Sequence, residues 1–258
     1  MKSGIAMAFA GALAALSMTA RADSGLELNV GTEFSSGTYG KTEATDTWYT
    51  PVVVRYRSDG MSLGLTLPYI RTTGPAAVVG SLGNQLLVNS RAGMVNQTVS
   101  GPGDIEASGT YLLHDGSANG WFVEAVGKLK FPTGDAAKGL GTGSRDYALE
   151  GQFAHCGSLL TTFGNLGWRH MGNAEGIVFT NSWSTVLGAG HDFSESVQLG
   201  AAWSFRQPVV DGGAPVREAM VYLTLAVAPK NTLQAYLLKG YSDSAPDRGM
   251  GITWNGRF

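Results

Sequence analysis

From residue 23 onward, apolar and polar positions alternate along the chain with a period of two. Leu26, Leu28, Val30, Thr32 and Phe34 set the pattern, and Met61, Leu63, Leu65, Leu67 and Tyr69 repeat it. Val197, Leu199, Ala201, Trp203 and Phe205 show it again, as do Ala219, Val221, Leu223, Leu225 and Val227. Alternation of this length is a strand signal, because successive strand side chains point to opposite faces. Twelve such segments are predicted, at about 25–34, 47–57, 61–70, 103–114, 121–131, 145–155, 159–170, 182–192, 197–207, 217–228, 232–241 and 248–258. Each is roughly the 9–11 residues that a tilted strand needs to cross a bilayer.

The connections sort into two kinds. Ser58-Asp59-Gly60, Asp115 to Gly120, Cys156-Gly157-Ser158, Phe193 to Ser196 and Pro229-Lys230-Asn231 are short turns. They alternate with longer links at 35–46, 71–102, 132–144, 171–181, 208–216 and 242–247. A soluble β-sandwich has no reason to sort its loops in this way, whereas an outer-membrane barrel does. The predicted fold is therefore all-β: a closed antiparallel transmembrane β-barrel of twelve strands, with short periplasmic turns and long extracellular loops. An even strand number puts both ends of the barrel on the periplasmic side.

Both ends of the chain agree with export to an outer membrane. Lys2, the apolar stretch Ile5 to Leu16 and the small–x–small triplet Ala20-Arg21-Ala22 predict a signal peptide over 1–22, cut after Ala22. The apolar stretch is too short to span a bilayer as a helix. The barrel is then expected over 23–258. At the other end Phe258 closes a strand with Met250, Ile252 and Trp254 on one face, although Gly256 interrupts the bulky positions. An aromatic terminal residue on such a strand resembles the sorting signal read by the barrel-assembly machinery. Trp48, Tyr69, Trp121, Phe131, Tyr147, Phe205 and Phe258 fall near predicted strand ends, where an interfacial girdle places aromatic rings.

Composition narrows the function. Of 258 residues only 15% are charged and 37 are glycine, while 43% are hydrophobic, which excludes a disordered chain. One cysteine excludes a disulfide framework, and a net charge of −2 without a basic cluster argues against nucleic acid as a partner. The expected partners are outer-membrane lipid, the assembly machinery and a small-molecule solute. Gly139 to Ser144 is glycine-rich but lacks the GK[ST] ending of a phosphate loop. His114, His155 and His191 each close a strand, yet parity points one inward and two outward, which disfavours a shared metal. Cys156 has no accompanying base and acid. No catalytic set, cofactor or metal site is expected.

With the apolar parity facing lipid, the other parity faces the lumen. It carries Glu27, Asn29, Glu33, Arg55, Arg57, Asp104, Glu106, Glu124, Lys128, Lys130, Asp146, Glu150, Arg169, Arg206 and Glu218. A charge facing midplane lipid costs about 2–4 kcal/mol, so this segregation is physically required. Acids and bases are expected side by side, with Glu106 near Glu124 and Lys128, and Lys130 near Asp146 or Glu150. Tyr49, Phe122, Tyr222 and Tyr236 share the inward parity, where they either offer an aromatic solute an apolar surface or pack the bore shut. Arg55, Glu106, Glu124, Lys128, Glu150 and Arg206 are the candidates for solute contact.

Three stretches have a further meaning: Gly103-Asp104-Ile105, Phe131-Pro132-Thr133-Gly134-Asp135 and Gly141-Thr142-Gly143-Ser144-Arg145-Asp146. Together with Ser244-Ala245-Pro246-Asp247-Arg248-Gly249, they resemble the "MetA-pathway of phenol degradation" outer-membrane family. The resemblance covers the C-terminal two-thirds. It implies transport across the outer membrane, in some members beside the breakdown of aromatic compounds, and supplies no catalytic residue. The expected function is a passive outer-membrane channel for small solutes, aromatic or hydrophobic ones among them. The alternative is a closed structural or surface-binding barrel, plugged or capped by loop 71–102.

Overall fold

The computed structural model describes residues 24–75, 77–81, 84–88, 97–174 and 177–258. The expected signal peptide and its cut after Ala22 lie outside the described residues. Fifteen strands are present among the described residues. They are β1 (Gly25–Gly37), β2 (Thr45–Ser58), β3 (Met61–Gly74), β4 (Ala77–Ser81), β5 (Asn84–Val88), β6 (Gln97–Pro102), β7 (Ile105–Asp115) and β8 (Trp121–Phe131). After a 3-10 turn at Ala136–Lys138 come β9 (Asp146–Cys156), β10 (Leu160–Met171), β11 (Ser182–Ser194) and β12 (Val197–Arg206). The last three are β13 (Val216–Ala228), β14 (Asn231–Gly240) and β15 (Arg248–Arg257).

Twelve of these strands, β1 to β3 and β7 to β15, form a closed ring of antiparallel neighbours. The first and last meet in unbroken register from Glu27↔Arg257 to Ser36↔Arg248. Without water in the hydrocarbon layer, each strand needs a partner on both sides, and closure supplies it. The register also climbs around the wall, as a tilted barrel requires. A line of directly opposed residues starts at Met61, beside a short turn, passes Tyr111 and Leu166, and ends at Arg217, beside a long loop.

Parity is as the alternation demands. Glu27, Lys130 and Asp146 are at most 1% exposed, whereas Leu63 and Leu149 are about two-thirds exposed. Trp48, Tyr69, Trp121, Tyr147 and Phe258 stand exposed on the outer face, with Phe131 and Phe205 partly covered on the same parity.

The long link expected at 71–102 is built differently. β3 continues to Gly74 and pairs with β6 from Tyr69↔Pro102 to Gly74↔Gln97, so the wall rises above the predicted strand end. β4 and β5 form a separate hairpin. The fourth wall strand is thus split, with β6 and β7 both lying on β3 and a break at Gly103-Asp104. A Cβ at residue 103 would meet Ile70 Cδ1 at 2.8 Å, so any larger residue there must push the Ile70 side chain aside. Asp104 leaves the ladder because its carboxylate is engaged inside the barrel, as described below.

Leu187 lies midway along β11, is exposed, and faces outward. Leu187→Arg is expected to lower the unfolding free energy by about 2–4 kcal/mol. Urea titration of the protein folded into lipid vesicles measures this.

Candidate functional site

The inner wall holds three charged groupings and one apolar band. The first grouping sits at the short-turn end. Glu27 accepts a hydrogen bond from Arg57 Nε at 2.8 Å, lies 3.7 Å from Arg55 Nη1, and accepts a hydrogen bond from Asn255 Nδ2 at 2.5 Å. Glu124 on β8 lies within the electrostatic reach of Arg57 and Arg55. One carboxylate thus anchors the N-terminal strand to both of its neighbours, β2 and β15.

The second grouping is the pair Lys128 Nζ to Glu150 Oε1 at 2.7 Å, with Gln152 Nε2 donating to the other carboxylate oxygen at 3.2 Å. The third lies at the long-loop end and is dry. Lys130 bridges Asp104 at 2.8 Å and Asp146 at 3.1 Å, with all three side chains at most 1% exposed. Lys130 Nζ also donates to Thr142 Oγ1. Asp104 accepts from the backbone of Gly134 at 2.9 Å and of Thr142 at 3.2 Å, and Asp146 accepts from Gly172 at 3.1 Å. Loop 132–145 is thereby tied down onto the barrel rim. A Cβ at residue 141 would overlap the Asp104 carboxylate, so the loop can wrap this closely only with glycine there. Further out, Asp135 caps the 3-10 turn, and its hydrogen bonds with Lys138 hold its carboxyl below the ordinary carboxylate range.

These contacts bear out Lys130 with Asp146 among the expected pairings and add others. Lys130 takes Asp104 and Asp146 rather than Glu150, because it lies directly opposite Asp146 in the ladder. Glu150 is taken by Lys128 from one pleat away. Glu106 lies opposite Lys130 and one pleat from Lys128, but three pleats from Glu124. Of the six candidate residues, Lys128 and Glu150 form a direct pair. Arg55 and Glu124 sit near Glu27. Arg206 lies across the barrel near Glu218 and Arg169, facing a cavity of about 370 Å³ at the long-loop end with Tyr39, Val209 and Asp243. The histidines stay apart: His114 hydrogen-bonds Asn119 at 3.1 Å, while His155 and His191 pack on Trp121 and Phe193 outside.

The apolar band was only half visible beforehand. Phe122, Ala154, Phe163, Val186, Ala202, Met220, Tyr222 and Tyr236 form one buried cluster, with Leu238 against it. Most of it follows a single register line: Phe122↔Ala154↔Phe163↔Gly188↔Ala202↔Met220↔Leu238. Because the register climbs, this line starts one residue above the short-turn end of β8 and finishes near the long-loop end of β14. One pleat away runs a mostly polar line through Glu124, Gln152, Asn165, Ser204 and Glu218.

Glycines shape the band. Phe163 lies over Gly188, Tyr222 over Gly200 and Tyr236 over Gly251, each glycine being the ring's direct cross-strand partner. A Cβ at residue 251 would come within 2.5 Å of the Tyr236 ring, and one at 188 or 200 would overlap its ring outright. Glycine therefore lets each ring lie flat along the wall instead of standing into the bore. Alternating "aromatic then small" across neighbouring strands was the available signal, but it shows only once the register is known.

No family model matches the chain, and no curated protein matches it by sequence. Solved structures do. The COG4313 outer membrane channel from Pseudomonas putida F1 aligns at a TM-score of 0.63 and 14% identity, covering 93% of this chain and 98% of that one. The KdgM porin aligns at 0.54 and 8% identity, covering 90% and 99%. The translocator domain of the autotransporter NalP from Neisseria meningitidis aligns at 0.50 and 13%, covering 92% and 90%. At these identities the likeness is one of fold, and that fold serves proteins of different kinds.

Lys130→Met leaves two carboxylates buried and facing each other without their cation. It is expected to cost about 3–5 kcal/mol of stability and to free loop 132–145. Unfolding titration measures the first effect, and faster tryptic cleavage after Lys138 the second.

Proposed function

We propose that this protein is an outer-membrane channel of a Gram-negative bacterium through which small, apolar or aromatic solutes pass passively. The observation that carries the reading is the continuous apolar line from Leu238 at the long-loop end to Phe122 at the short-turn end. A barrel needing only rigidity gains nothing from threading its apolar interior from one rim to the other. The band is packed, with Phe122, Phe163 and Tyr222 at most 6% exposed, so a solute travels it by displacing the rings and covering their apolar surface, at roughly 25 cal/mol for each Å². The polar line beside it accommodates a single hydroxyl or carbonyl group. Resemblance of the Gly103, Phe131 and Gly141 stretches to the "MetA-pathway of phenol degradation" family supports the same solute class. Fold likeness to an outer membrane channel supports the channel reading, whatever the solute. The girdle and apolar outer wall support placement in lipid, where Phe258 ends the strand offered to the assembly machinery.

The test is the initial uptake of radiolabelled naphthalene by Gram-negative cells, whose lipopolysaccharide leaflet slows apolar molecules. Expression of the chain is expected to raise uptake several-fold over empty vector; no increase overturns the reading. Gly200→Ala, which stands Tyr222 into the bore, is expected to cut that gain about tenfold, as overpacking does. Removing the ring in Gly200→Ala/Tyr222→Ala is expected to restore it.

The charged side of the bore is tested separately in planar bilayers under a KCl gradient. Glu124→Ala and Lys128→Ala are expected to move the reversal potential in opposite directions. Unchanged potentials would remove both from the path.

A further inference from the structure

The outer face of the barrel carries few charges, and they are not evenly placed. Outward-facing Arg71, Arg217, Lys239 and Arg248 are all exposed, and all lie within three residues of the long-loop end of their strands. Among the described barrel-strand residues at that end, Asp46 is the outward acid. Three of the four cations sit on consecutive strands: Arg217 on β13, Lys239 on β14 and Arg248 on β15.

Their register is the unusual part. Lys239 and Arg248 are direct Cα partners, so two positive side chains stand opposite each other on the same face. Like charges in this arrangement repel and destabilise the pair. Neither they nor Arg217 form an ion pair with any described residue. Asp46 does not neutralise them, since β1 lies between it and Arg248 and the intervening partner is Ser36. Directly below, on the same face, stand Leu237, Met250 and Val221, all exposed, while beside Arg217 Tyr241 packs on Trp203 with ring centroids 5.4 Å apart. Seen from the membrane, the surface is an apolar wall topped by a triad of unneutralised cations, with an aromatic pair at the level of Arg217.

That order matches an anionic amphiphile: acyl chains against the wall and phosphate at the cations. We infer that Arg217, Lys239 and Arg248 form a binding site for the phosphate groups of lipopolysaccharide in the outer leaflet. The anion relieves the Lys239–Arg248 repulsion that the protein leaves uncompensated, and each basic residue near an anionic lipid surface adds to the attraction. The site rests on the outer-membrane placement proposed above and is independent of what passes through the bore.

The experiment uses the full barrel, purified in detergent, with deep-rough lipopolysaccharide, the same lipid after removal of its phosphates, and inorganic phosphate as probes. Binding is read by surface plasmon resonance on immobilised protein. Wild type is expected to bind the phosphorylated lipid and to lose most of that binding when the phosphates are removed. Arg217→Gln/Lys239→Gln/Arg248→Gln is expected to weaken it about ten- to a hundredfold. The same triple variant is expected to be at least as resistant to urea as wild type without lipopolysaccharide, because the repulsion is gone; this also verifies folding. Lys41→Gln/Lys138→Gln, two loop cations, is the control expected to change nothing. Equal binding by the triple variant, equal binding of the dephosphorylated lipid, or inorganic phosphate competing at the lipid's own concentration would overturn the site. Failure of naphthalene uptake would leave this result standing, so the two readings fail separately.

Discussion

Everything in this molecule follows from one constraint: backbone amides inside lipid have no water to bond. Each unpaired N–H or C=O there costs several kcal/mol, so a sheet that enters the membrane must close upon itself. Here closure joins β1 to β15 over ten register pairs. At the short-turn end Glu27 reinforces the join by holding β2 through Arg57 and β15 through Asn255. The strand with an edge to protect is thus the one clamped by charge from both sides.

Closure brings tilt, and tilt turns a ring into a spiral. In a flat ring of strands, residues in register would lie at one depth. In a staggered barrel they climb, so a line of apolar partners becomes a path between the two rims. The apolar band and its polar companion are therefore two stripes of one ramp. The glycines opposite Phe163, Tyr222 and Tyr236 solve the space problem this creates. A twelve-stranded wall leaves too little room for several upright rings, and a missing Cβ lets each lie down.

Strand positions and parity were legible in the chain because the period is exact over nine or more residues and lipid tolerates no error in it. Lumen charges such as Glu27, Lys128 and Asp146 follow from that parity alone. The pairing of those charges was less accessible. Neighbouring strands lie some tens of residues apart, and a one-pleat displacement changes which acid meets Lys130. The split at Gly103-Asp104 was invisible for the same reason. Locally the segment alternates like a strand, and only the pull of Lys130, twenty-six residues on, takes Asp104 out of the ladder. The rise of β3 and β6 above the rim was hidden because their outer ends are rich in threonine, serine and glycine, which read as loop.

Three of the four sequence stretches that carry the family resemblance are separated along the chain but meet at one point. Asp104 comes from the first, Gly134 from the second, and Gly141, Thr142 and Asp146 from the third, with Lys130 at the centre. Such a pattern does not need a solute to explain it. A buried cation with two acids and a close-wrapped glycine loop tolerates few substitutions, because losing Lys130 leaves two buried carboxylates without a cation and losing either acid releases the loop backbone it holds. The apolar line is different in kind. Ala154, Phe163, Ala202 and Met220 are interchangeable with other apolar residues as far as folding is concerned, so long as the glycines keep pace with the rings. Architecture and traffic thus make opposite demands on the same wall. The rim cluster fixes loop 132–145 at the long-loop end, while the stripe leading inward can exchange its apolar side chains, and with them the proposed solute preference, without disturbing the barrel that holds it.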